Sequence, residues 1–124
     1  MLKRFIILAA VMLAVDLVWL TFRASYHTDL IKSVQGSAVS LRPIPAALIY
    51  LLIPAAVLFF AVDPAKSQRD AVKRGAVLGA TMYGLYDLTN LASLKGWTIE
   101  MAITDTLWGT ILCGIGAGIG FTLS

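Results

Sequence analysis

Charge and cysteine are what this chain has least of. Only 14% of its 124 residues are charged, against about 25% in an average soluble domain. A water-soluble domain of this size needs polar residues over most of its surface, and here they are missing. The single cysteine, Cys113, excludes an intramolecular disulfide and a cysteine-based metal cluster. Lying in a Gly-rich apolar run, it reads as a small packing residue. The single histidine, His27, falls between apolar runs and reads as a solvated loop residue, and nothing else in the chain resembles a nucleophile–base pair. Together these absences exclude a soluble globular enzyme, a disordered chain and a disulfide scaffold. What the chain has instead is 59% apolar residues and a mean hydropathy of +0.84. The bilayer is its solvent.

Four apolar runs, Phe5–Phe22, Ile44–Val62, Gly75–Leu94 and Met101–Leu123, are each about the length of a spanning helix, which needs about 20 residues. They predict an all-α polytopic membrane protein: one four-transmembrane-helix bundle over residues 1–124. The start, Lys3-Arg4 before an apolar run, imitates a signal peptide, but Asp16 and the full spanning length make it an uncleaved first span. The ten Lys and Arg residues sit at the edges of the runs, so the net charge of +3 reads as topology and lipid-headgroup anchoring, with no nucleic acid partner. Lys3, Arg4, Lys66, Arg69, Lys73 and Arg74 outweigh Arg23, Lys32, Arg42 and Lys95, which predicts that both termini are cytoplasmic. Tyr26, Leu30 and Val34, closed by Gly36, predict a short helix on the outer surface. Asp63-Pro64 predicts a helical turn in the second loop, Pro54 a kink in the second span, and the short third loop a hairpin of the last two spans.

The informative feature is the depth of the intramembrane charges. Asp16 lies six residues before the end of the first span, Asp87 seven before the end of the third, and Asp105 four after the start of the fourth. At 1.5 Å per residue all three fall roughly 6–10 Å below one membrane face. Each carboxylate costs about 2.5–3.5 kcal/mol to insert at a helix centre and somewhat less off-centre, so three in one layer must face one another or water. Helical periodicity agrees. Gly75, Gly79, Tyr83, Tyr86, Asp87 and Asn90 share a face of the third span, and Gly109, Cys113, Gly116 and Gly120 share that of Asp105 on the fourth. The glycines read as helix-packing positions. Gly114 and Gly118, on the opposite face, read as packing within the bundle or as the seam of a homodimer.

Asp16 and Asp105 are each followed three residues later by tryptophan (Trp19, Trp108), and Asp87 by Asn90, which places a hydrogen-bonding neighbour on the same helix face. Trp97, in the third loop, reads as an interfacial residue. In DLVWL (Asp16–Leu20), YDLTNLASLKGW (Tyr86–Trp97) and DTLWGT (Asp105–Thr110) the chain resembles a family of small four-helix inner-membrane proteins of bacteria, a domain family of unknown function. The resemblance implies a multi-pass location in the bacterial cytoplasmic membrane and no established activity.

Three functions fit these residues. The leading one is an accessory or assembly subunit of a larger membrane complex, with the aspartates as interhelical bonds of about 0.6 kcal/mol each. The second is binding or transport of a small molecule or cation at Asp16, Asp87, Asn90, Asp105, Trp19, Trp108, Tyr83 and Tyr86, whose oxygens suit a hard cation. The third is a lipid-acting intramembrane enzyme, for which no catalytic residue stands out. Membrane lipids are the expected partners. No cofactor is expected beyond a bound cation, and the residues do not specify a metal. A polar cavity beside the aspartates would separate a binding site from structural bonding.

Overall fold

Prolines and capping residues fix where the helices begin. Pro43 occupies the first turn of one helix, where a missing N–H costs nothing. Ser67 and Thr98 cap two others, accepting hydrogen bonds from the amides of Asp70 and Met101 at 3.0 Å each. Gly36 ends a helix with a positive φ of 78°, the left-handed conformation glycine adopts without strain. The computed structural model describes residues 2–124 and is all-helical: α1 Leu2–Phe22, α2 Ala24–Gln35, α3 Pro43–Ala56, α4 Gln68–Ser93 and α5 Ile99–Thr122.

A π-helical turn, Val57–Val62, continues α3 directly. It follows Pro54, which carries no N–H, and closes with the Asp63 amide donating to Leu58 O at 2.9 Å. Asp63-Pro64 forms only a tight turn, and the helical start expected there comes at Ser67 instead. The third apolar run likewise begins inside a longer helix, because the charged residues from Arg69 to Arg74 continue α4 seven residues upstream of Gly75. Among the described residues, α1, the run Pro43–Val62 and α5 are long and apolar enough to cross a membrane. α4 is long enough, at 26 residues, but more polar.

α5 is the central element. Gly75 and Gly79 of α4 lie directly on the α5 backbone, where an added Cβ would strike the carbonyls of Cys113 and Gly109. A Cβ added at Gly116 would come within 2.8 Å of the Met12 sulfur of α1, and Gly120 faces Val62, Leu58 and Leu8. Gly109 holds the Tyr83 ring. The expected seam therefore divides: Gly109 receives α4, while Gly116 and Gly120 receive α1 and the π-helical turn. Gly114 and Gly118 are buried against Val72 and Ala76 of the same chain, so packing within the protein accounts for them. The core around α5 is Leu8, Met12, Val57, Ala61, Leu112 and Ala117.

Polar contacts define the two ends of the molecule. At one, Arg4 donates to Ser124 Oγ at 2.7 Å and pairs with Asp63 at 2.9 Å, and Gln68 donates to Thr122 Oγ1 at 2.8 Å. Both ends of the chain and the 63–67 turn thus lie together. At the other end, the Tyr26–Leu30–Val34 stripe of α2 packs on Leu91, Trp97 and Met101, covering the α4–α5 hairpin rather than lying free on a surface. Arg23 reaches Glu100 at 3.4 Å and sits 4.3 Å above the Tyr26 ring.

A candidate binding chamber

Under α2 the helices enclose a cavity of about 280 Å³. α1 contributes Asp16 and Trp19, α3 contributes Tyr50, α4 contributes Tyr83 and Tyr86, and α5 contributes Asp105 and Trp108. All but Tyr86, which is 56% exposed, are buried or half-buried. The i, i+3 spacing that joins Asp16 to Trp19 and Asp105 to Trp108 brings all four to one wall, where the two indoles stack at 4.8 Å and 8°.

The three aspartates have different surroundings. Asp16 is satisfied, accepting from Tyr50 Oη at 2.7 Å and from Trp108 Nε1 at 2.8 Å. These bonds tie α1 to both α3 and α5. Asp105 is half-buried and lines the cavity. Asp87 is fully buried, with the Asp105 carboxyl and the Trp97 indole as its polar neighbours. Trp19 Nε1 and His27 Nε2 are buried without a partner, and both residues line the cavity together with Trp97. Trp97 is only 8% exposed. Buried donors and acceptors are normally paired, directly or through water.

Of the expected residues, then, Asp16, Asp105, Trp19, Trp108, Tyr83 and Tyr86 share one cavity and Asp87 backs its wall. Asn90 lies one turn beyond Tyr86, beside its hydroxyl and outside the cavity lining. Among the described residues no three His, Cys, Asp or Glu side chains come close enough together to hold a metal ion.

Three lining residues escaped the sequence reading. Tyr50 had a usable signal, as the one hydrogen-bonding side chain in the run Ile44–Val62. Trp97 is a buried wall residue, not an interfacial one, because α2 folds over its loop. His27 is half-buried in the cavity, not solvated. Burial holds its imidazole below the ordinary 6.5, with Arg23 adding to the shift and the charges of Asp105 and Asp16 opposing it. An NMR titration of His27 should give a midpoint below 6.5, and Asp105→Asn should lower it further by removing the larger opposing charge. A midpoint above 6.5 would contradict the burial of this ring.

A family model described as "Predicted membrane protein (DUF2177)" matches residues 1–122. No curated protein and no solved structure matches the chain.

Proposed function

Because the chain belongs to the DUF2177 family of predicted membrane proteins, whose description names a membrane and no activity, we propose a function from the chamber itself: it binds the ammonium group of a small organic ligand. The observation that carries this reading is Asp105, a half-buried carboxylate that lines the aromatic cavity with Asp87 fully buried behind it. Carboxylates supply acceptors for N–H donors, and a desolvated cation over an aromatic face gains about 2 kcal/mol. A metal ion fits less well, since the donors do not converge on one point.

The protein crosses the bacterial cytoplasmic membrane four times with both termini inside. Support for the fourth span comes from packing. α4 runs antiparallel along α5, from Gln68 beside Thr122 to Gly84 beside Thr106, so a bilayer crossed by α5 is crossed by α4 as well. Support for the orientation comes from the excess of Lys and Arg at the end that gathers both termini. A membrane-impermeant thiol reagent should label Gly36→Cys from outside intact cells and reach Ser67→Cys only after lysis. Equal labelling of the two from outside would contradict this topology.

Binding can be read without a probe, because all three tryptophans of the chain line the chamber. Titrating ethanolamine into the detergent-solubilised protein should shift the tryptophan emission along a saturable curve, while sodium chloride at equal ionic strength should not. Unchanged emission would overturn the ammonium reading. Gentle extraction from the native membrane addresses the accessory-subunit reading, in which a second chain would come along in fixed ratio.

A further inference from the structure

We infer that the ammonium group arrives on an aminophospholipid, whose head enters the chamber sideways from the outer leaflet through the gap between α3 and α4 while its acyl chains stay in the bilayer. This rests on the ammonium reading above and adds the source of the ligand and its route.

The route is a second cavity, also about 280 Å³, lined by Ile49, Ile53, Met82, Tyr83, Tyr86 and Asp105. All of these except Met82 line the chamber too, so the two spaces adjoin across Tyr83, Tyr86 and Asp105. Their chemistry changes along the way: Ile49, Ile53 and Met82 make the outer part apolar, and Asp105 stands where it meets the chamber. At the mouth Ile49 is 52% exposed and Tyr86 56% exposed, on a face that the topology above turns toward lipid. A free, water-soluble amine has no need of an apolar side entrance. An amphiphile does, because its chains remain in hydrocarbon while the head moves inward.

The packing explains why the opening is lateral. α3 lies against α1, and the run reaches α4 and α5 chiefly through the π-helical turn Val57–Val62. The half of α3 that carries Ile49 and Ile53 is therefore left standing away from α4. The water-facing end is covered instead. There α2 seals the α4–α5 hairpin with its apolar stripe, the Tyr26 hydroxyl meets Thr98 Oγ1, and Arg23 bridges to Glu100.

The unpaired groups match both charges of such a head. Asp105, which lines both spaces, accepts from an ammonium, and its carboxylate favours one that carries N–H donors. Trp19 Nε1, buried without a partner in a residue that lines the chamber, donates to a phosphate oxygen. A head with a phosphate and no ammonium leaves the carboxylates unpaired and is disfavoured.

Native mass spectrometry of the full chain, incubated with phosphatidylethanolamine and phosphatidylglycerol of identical acyl chains, tests this. The ethanolamine lipid should be retained at least about tenfold better, a difference of about 1.4 kcal/mol. Met82→Phe narrows the side entrance at the one residue of its lining that the chamber does not share. It should reduce lipid retention several-fold and leave the fluorescence response to free ethanolamine unchanged. Equal retention of the two lipids, or a Met82→Phe variant that retains lipid like the parent, overturns this inference alone. If free ethanolamine also gives no response, the ammonium reading falls with it.

Discussion

Replacing Gly79 with leucine is expected to abolish the folded state, the largest stability effect among single changes at the glycine seams. An added Cβ there runs into the Gly109 carbonyl and the Cys113 side chain. A backbone carbonyl inside a helix cannot swing aside, so α4 and α5 would have to separate. Overpacking a core typically costs about 1–3 kcal/mol, with larger values where nothing can yield. Gly116→Leu should fall within that range, since it meets the Met12 thioether, whose flexible chain can move. Gly84→Ala should be neutral or slightly stabilising: its nearest neighbour is the Thr106 methyl at 3.7 Å, ordinary contact, and alanine gains up to about 1 kcal/mol in helix propensity. Thermal unfolding in detergent, followed by circular dichroism, should rank the three in that order. Similar melting temperatures for Gly79→Leu and the parent would mean that these two helices do not touch.

The largest expected effect on binding is that of Asp105→Asn. Among the aspartates lining the chamber, Asp105 is the one not already engaged, since Asp16 is held by Tyr50 and Trp108. Truncating one partner of a buried charge pair typically costs about 2–5 kcal/mol, so the ethanolamine response should weaken by at least about thirtyfold. The change keeps the shape of the side chain, and the fold should melt like the parent. Asp16→Leu should behave in the opposite way. It strips an acceptor from two interhelical donors and loosens the packing of α1 on α3 and α5, by about 1–3 kcal/mol. An Asp105→Asn variant that binds as well as the parent would take the ligand away from this wall.

Helical periodicity made much of this site legible. Asp16 with Trp19 and Asp105 with Trp108 lie one turn apart on buried faces, so their meeting follows from spacing and from the insertion cost of a carboxylate. The α2 stripe was legible for the same reason. Periodicity does not say what a surface stripe covers, however, and this one covers Trp97 and Met101 rather than lipid. Trp97 and His27 lie outside the apolar runs, and their burial depends wholly on how α2 folds back over the hairpin. The π-helical turn after Pro54 is a one-residue change of hydrogen-bond register and leaves no mark in hydropathy. It matters functionally, because it lets the start of α3 stand away from α4. Individual glycines were legible as seam residues, but which helix each one receives was not: Gly109 and Gly116 share a face by angle and meet different partners.

The central claim is that Trp19, Trp97 and Trp108 border a single chamber that takes up an ammonium group. It is tested most directly by NMR of the three indole N–H groups in protein labelled with ¹⁵N-tryptophan, assigned by single Trp→Phe replacements. Trp108 donates to Asp16, and its N–H should exchange with solvent more slowly than the unpaired N–H group of Trp19. On addition of ethanolamine all three signals should move along one common binding curve, and none should move in Asp105→Asn at the same concentrations. Three unrelated curves, or signals that stay in place while ethanolamine binds elsewhere, would contradict the account.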